Sequence, residues 1–97
     1  MAGDQLVFED FEPQVGTDFV VAVDGEPLAL NLIEATPLPN SAALSRAPFS
    51  LLFQSGIQQV IPQQLFPLRH ETLGDVQIFL VPTAQNPTGI QYYATFN

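Results

Sequence analysis

Residues 18–33 read DFVVAVDGEPLALNLI, and this stretch decides the fold. Its first part, Asp18 to Val23, is rich in Phe and Val, which are typical of strands. The dipeptide Asp24-Gly25 suits the positive backbone dihedrals of a type I′ turn. After the turn, every second residue of the returning segment is leucine: Leu28, Leu30 and Leu32. The stretch therefore predicts a β-hairpin with one buried face.

Further strand-like runs follow the hairpin and are separated by turn residues. They cover Phe49 to Gln54, Leu65 to His70, Val76 to Val81 and Ile90 to Phe96. Connections this short favour antiparallel pairing over crossover units. We therefore predict an all-β fold, a small antiparallel sandwich or barrel of about six strands.

Two segments depart from this strand pattern. From Leu6 to Val15 the apolar residues lie near helical spacing, which predicts a short N-terminal helix or turn that Pro13 and Gly16 limit. Between Ala35 and Pro48, prolines and serines predict a long surface connection. With 97 residues the chain fits one domain, residues 1–97.

Charge excludes several classes of partner. Ten acids face two arginines and no lysine, for a net charge of -8. The chain thus lacks the cations that bind phosphate backbones or anionic lipid, so we expect neither nucleic acid nor membrane as a partner. Residues Met1 to Gln5 show no basic signal-peptide region, which predicts a cytoplasmic protein, with export as part of an assembly as the alternative.

Candidate metal ligands are concentrated near the N-terminus. The acids there are Asp4, Glu9, Asp10, Glu12 and Asp18. Their oxygens suit calcium, but the spacing fits no calcium loop, and solvated acids are the favoured interpretation. We predict no metal and no cofactor.

Candidate catalytic groups are few. His70 lies beside Arg69 and Glu71, so a base oriented by an acid is one hypothesis, and it is the basis of a hydrolase interpretation. The favoured interpretation is an imidazole at a strand end that is hydrogen-bonded to a neighbour. No serine lies in a nucleophile elbow. We predict that the protein is not an enzyme.

Two polar features suit binding. Arg46 could grip a carboxylate partner, although an internal pair with one of the many acids is the favoured interpretation. The amides of five glutamines could bind a sugar or a facing chain, or solvate a loop: Gln54, Gln58, Gln59, Gln63 and Gln64.

Short sequence blocks along the chain are similar to those of other proteins. They are Pro48 to Phe53, Pro62 to Gly74, Phe79 to Pro82 and Tyr92 to Asn97, with Asp10-Phe11 and Val15-Gly16 near the start. In order and spacing these blocks resemble a family of short bacterial all-β proteins catalogued as a domain of unknown function. The resemblance implies a bacterial origin and an accessory role in a phage-tail-like assembly, and it supplies no catalytic residues. Tyr93 stands where such relatives usually carry an acid.

A second apolar face is the strongest functional signal. Residues in the phase opposite to the predicted core are also apolar, and the candidate interaction face is Val20, Ala22, Ile33, Leu52, Phe79 and Tyr93. Such a face exceeds what monomers usually expose, so another copy or a foreign protein is expected to cover it. We predict a non-enzymatic structural or protein-interaction module whose partner is a second copy of the chain, in a homo-oligomer, or another protein subunit. A small-ligand-binding β-barrel is the alternative, and a hydrolase around His70 is third.

Overall fold

Six antiparallel strands close into a barrel. The computed structural model describes residues 6–40 and 47–96. A short helix α1 (Phe8–Phe11) and a 3-10 turn (Glu12–Gln14) precede the strands β1 (Asp18–Val23), β2 (Glu26–Pro37), β3 (Phe49–Ser55), β4 (Gln64–His70), β5 (Gly74–Gln85) and β6 (Ile90–Phe96). Around the wall the strand order is β1-β2-β3-β6-β5-β4. The all-β prediction is confirmed in its barrel form, with the short N-terminal helix in place.

The first hairpin has the predicted turn. Asp24 and Gly25 have φ of 53° and 81°, as a type I′ turn requires, and Val23 pairs with Glu26 directly across it. The pairing places Phe19 opposite Leu30 and aligns the buried face of both strands. The leucine alternation of this stretch therefore sets the register of the barrel's first hairpin.

Two strands are longer than predicted. β2 continues to Pro37 and β5 continues to Gln85, so the part of the predicted connection from Ala35 to Pro37 is strand. Each strand passes a β-bulge, between Leu32 and Glu34 in β2 and between Pro82 and Ala84 in β5. A bulge shifts the alternation by one residue and bends the strand, which hides the continuation from a periodicity count.

The barrel interior is filled with side chains. Most residues of the inward phase are at most 2% exposed, while Leu28 and Phe66 are 8% and 7% exposed. The former are Phe19, Val21, Leu30, Leu32, Phe49, Leu51, Phe53, Leu68, Val76, Ile78, Leu80, Ile90, Tyr92 and Ala94. Close packing of this kind supplies most of the stability of a small domain.

The N-terminal segment closes one end of the barrel. Phe11 is fully buried, and its ring lies 6.1 Å from Phe19, 5.7 Å from Phe49 and 5.5 Å from Phe96 between centroids. The Asp10 carboxylate accepts the backbone N–H of Val7 and so satisfies a free donor at the start of the helix. A four-residue helix is unstable alone, and this aromatic contact holds it.

The connection from β3 to β4 closes the opposite end. Residues 56–63 link two strands that are not neighbours in the wall, and Ile61 is 2% exposed. The backbone N–H of Ile61 donates to the Tyr92 hydroxyl at 3.0 Å, inside the core. Both ends of the barrel are therefore covered by the chain itself.

Candidate functional site

His70 lies at the end of β4, beneath the N-terminal segment. Its Nδ1 accepts the backbone N–H groups of Thr72 and Leu73 at 3.0 and 3.1 Å, and its Nε2 lies 2.8 Å from the Thr17 hydroxyl. Because Nδ1 accepts, the proton is on Nε2, which donates to Thr17, and that hydroxyl donates in turn to the Gln14 carbonyl. The imidazole thus joins the β4–β5 turn to the 3-10 turn.

The surroundings of His70 favour the neutral imidazole. The residue is 4% exposed, and its ring lies 4.2 Å from the Phe19 ring between centroids. Burial lowers the pKa of His70 below its ordinary value, and the neighbouring carboxylate of Glu71 opposes part of that effect. Both ring nitrogens of His70 take part in hydrogen bonds within the fold.

Acidification is expected to lower the free energy of unfolding through protonation of His70. The pKa is lower in the folded state than in the unfolded state, so the stabilising contribution of the neutral ring is complete above pH about 6.5 and falls as the pH drops toward the folded pKa. For one proton the free energy of unfolding then falls by at most about 1.4 kcal/mol per pH unit. Urea unfolding between pH 7.5 and 5.5 measures the slope.

A His70→Asn variant is the control for that slope. The amide oxygen of Asn can accept the same backbone N–H groups but cannot titrate. We expect a lower stability at pH 7.5 and a flatter profile down to pH 5.5. An equal slope in both proteins would show that other groups carry the pH dependence.

The N-terminal acids from Glu9 to Asp18, which the structure describes, form no cluster that could hold a metal ion. Asp10 caps α1, and Asp18 accepts a hydrogen bond from the Asn31 amide at 3.0 Å. Among residues 6–40 and 47–96, no group of three or more His, Cys, Asp or Glu side chains could hold a metal ion. Asp4 and Arg46, named above as candidate metal-binding and partner-binding residues, lie outside the described residues.

The glutamine amides bind the β5–β6 turn. Gln54 exchanges hydrogen bonds with Asn86, and Gln58 donates to the carbonyls of Asn86 and Pro87. The Gln58 amide oxygen accepts from Gln85 at 2.6 Å. These contacts give two of the five glutamines a structural role that loop composition alone did not indicate.

An apolar stripe crosses the outer wall. In the strand register Leu52 faces Tyr93, Tyr93 faces Val81, and Phe79 faces Leu65, while Ile33 lies at the β2 bulge beside the partner of Leu52. Val81 and Phe79 lie two residues apart on one strand and share its face. We define the apolar stripe as Ile33, Leu52, Tyr93, Val81, Phe79 and Leu65. Leu65, Phe79 and Tyr93 are 55%, 45% and 37% exposed.

Uncharged polar side chains border the middle of the stripe. Toward the helix-covered end, Thr36, Ser50 and Thr95 lie side by side in the register, and of these three Ser50 is buried. Toward the other end, Asn31, Gln54 and Gln91 do the same. β3 and β6 contain no charged residue, although the chain carries a net charge of -8. The border also includes one charged residue, Glu34, which pairs with Leu52 in the register. An apolar centre with a largely uncharged polar border is typical of protein interfaces.

Val20 and Ala22 do not belong to this stripe. They lie on β1, the strand that the stripe does not cross, and they line a groove of about 400 Å³ with Pro67, Arg69 and Asp75. Here β1 pairs with β4 at Val20 and Arg69 alone, whereas each other pair of neighbouring strands is matched at four to seven positions. Pro67 lacks the N–H that a longer ladder needs.

The structure thus brings together four of the six residues of the candidate interaction face: Ile33, Leu52, Phe79 and Tyr93. It adds Leu65 and Val81, which the candidate interaction face of the sequence analysis did not include. Both belong to strands that were predicted, and the alternation of Phe79 and Val81 along β5 was the available signal. Their position beside Tyr93 depends on strand order, which no local pattern indicates.

Comparisons with known proteins give one family and no closer relative. A family model described as Domain of unknown function (DUF6916) matches residues 6–96. Neither the curated proteins nor the solved structures contain a match to the chain. None of the helices within residues 6–40 and 47–96 has the length and apolar character needed to cross a membrane.

Proposed function

The chain belongs to this family of domains of unknown function, and we propose that it is a non-enzymatic protein-interaction module that binds through its apolar stripe. The proposal includes a bacterial origin and an accessory role in an assembled, phage-tail-like structure. The resemblance described above supports the origin and the assembly. The geometry of the outer wall supports the interaction.

The observation that carries the proposal is the exposure of large apolar side chains at adjacent positions. Leu65 and Phe79 face each other on neighbouring strands and are about half exposed, and Tyr93 lies beside Val81 on the next strand. Single exposed apolar residues are ordinary, but a contiguous group marks an interaction surface. The barrel needs none of them for its core, because the opposite phase of each strand fills the interior.

A ligand-binding barrel receives less support. A ligand pocket in a small barrel lies inside the wall and carries a few convergent polar groups. Here the inward positions are occupied by side chains such as Phe19, Phe53 and Tyr92. The groove beside Val20 lies on the outer wall, and a second depression, which Val23, Leu28 and Ile57 help to line, lies beside the β1–β2 turn.

Photo-crosslinking in the native host tests the interaction role. A photoreactive p-benzoylphenylalanine replaces Tyr93 in one variant and Val20 in a second, since both positions are 37% exposed on the outer wall. We expect discrete protein adducts from position 93 and few from position 20, because only position 93 lies within the apolar stripe. No adducts at position 93, or equal yields at both positions, would contradict the proposal.

A further inference from the structure

We propose that the partner of the apolar stripe is a second copy of this chain, held in a twofold contact centred on Tyr93. The proposal rests on the proposed function, because it names the partner of the same surface. In a twofold contact both copies use the same patch, so the side chains of that patch must be complementary to an identical set on the other copy.

Charge placement argues for a second copy. The described acids lie mostly in the N-terminal segment, in the β1–β2 turn and around the β4–β5 turn: Glu9, Asp10, Glu12, Asp18, Asp24, Glu26, Glu71 and Asp75, with Glu34 beside the stripe on β2. A basic partner would be attracted to those regions rather than to β3 and β6. β3 and β6 carry no charge, and Glu34, which pairs with Leu52 in the register, is the acid at the margin of the contact, so two anionic copies can touch there with few charges facing each other.

The polar border also suits an identical partner. Hydroxyl and amide side chains both donate and accept hydrogen bonds, so Thr95 and Gln91 can pair with the same residue types on another copy. Carboxylates accept only, and a border of acids would have demanded a basic partner. Tyr93 at the centre adds a large apolar ring, and its hydroxyl can either donate or accept a hydrogen bond.

Wall curvature limits the contact to the middle of the stripe. The stripe crosses five of the six strands, which are spaced about 4.8 Å apart, so it curves most of the way around the barrel. A second copy on one side of the barrel therefore contacts only β3, β6 and β5. Leu52, Tyr93, Val81 and the nearer part of Phe79 then form the centre. A stable contact needs about 800 Å² from each partner, a modest part of the 5695 Å² surface of this chain.

Sedimentation equilibrium of the purified full-length chain tests the self-contact. We expect a monomer–dimer equilibrium that strengthens between about 50 mM and 500 mM salt, because salt screens the repulsion between two anionic copies. Tyr93→Glu should weaken the dimer by at least about tenfold, since it places two carboxylates at the centre of the contact. Val20→Glu, at an equally exposed position outside the stripe, should leave the affinity unchanged.

A second pair of variants distinguishes a weakened dimer from a chain that fails to fold. Tyr93→Thr keeps a good strand former, and Val20→Thr is its control. Both should melt cooperatively, and only the first should weaken the dimer. A monomer at about 1 mM in high salt, or equal losses at positions 93 and 20, would overturn the second-copy proposal. Adducts to a different protein from position 93 in the host would then retain the interaction role, whereas no adducts would remove both.

Discussion

Replacement of Gly89 by Ala is expected to destabilise the barrel by about 3 kcal/mol or more. A Cβ at this position would lie 2.7 Å from the Ile57 carbonyl oxygen and in closer contact still with the carbonyl oxygen of Ser55. These are backbone atoms, so no side-chain rotation relieves the clash. The turn at Gly89 and the start of the β3–β4 connection would have to move apart and would strain the hydrogen bond from Ile90 N–H to Ser55 Oγ.

Gly56→Ala is the matched control, since a Cβ there meets nothing within 4 Å. Urea unfolding monitored by circular dichroism should show little change for Gly56→Ala, because alanine also restricts the unfolded chain. The midpoint for Gly89→Ala should fall strongly. Similar midpoints for the two variants would mean that the close approach at Gly89 is not part of the folded state in solution.

Replacement of Phe11 by Ala is expected to cost about 3 to 5 kcal/mol. The ring is fully buried against Phe19, Phe49 and Phe96, and it attaches the N-terminal segment to the end of the barrel. Its loss opens a cavity and removes the fully buried anchor of α1, which leaves the edge-on contact of Phe8 with Phe49. For a domain whose total stability is about 5 to 15 kcal/mol, this is a large fraction.

Phe79→Ala removes the same ring from an exposed position of the apolar stripe. At dilute concentration, where self-association is absent, this control should change the free energy of unfolding by less than about 1 kcal/mol. Thermal and urea unfolding of both variants measure the difference. If Phe11→Ala were as stable as Phe79→Ala, the N-terminal segment would not be packed on the barrel in solution.

Local patterns identified most of the strands because their physical causes are local. The Asp24-Gly25 turn and the Leu28, Leu30, Leu32 alternation act over a few residues, and both appear in the structure as predicted. The extensions of β2 and β5 were not predicted, because a bulge changes the phase that a periodicity count follows.

For the candidate site, the sequence determined which side chains are available and only the tertiary structure decided which of them meet. The outward phase of β3, β5 and β6 is visible in the sequence as Leu52, Phe79 and Tyr93. Their assembly into one stripe, without Val20, depends on β6 lying between β3 and β5. Strand order results from the joint burial of all inward faces in one closed core, a property of the whole chain that no single segment carries.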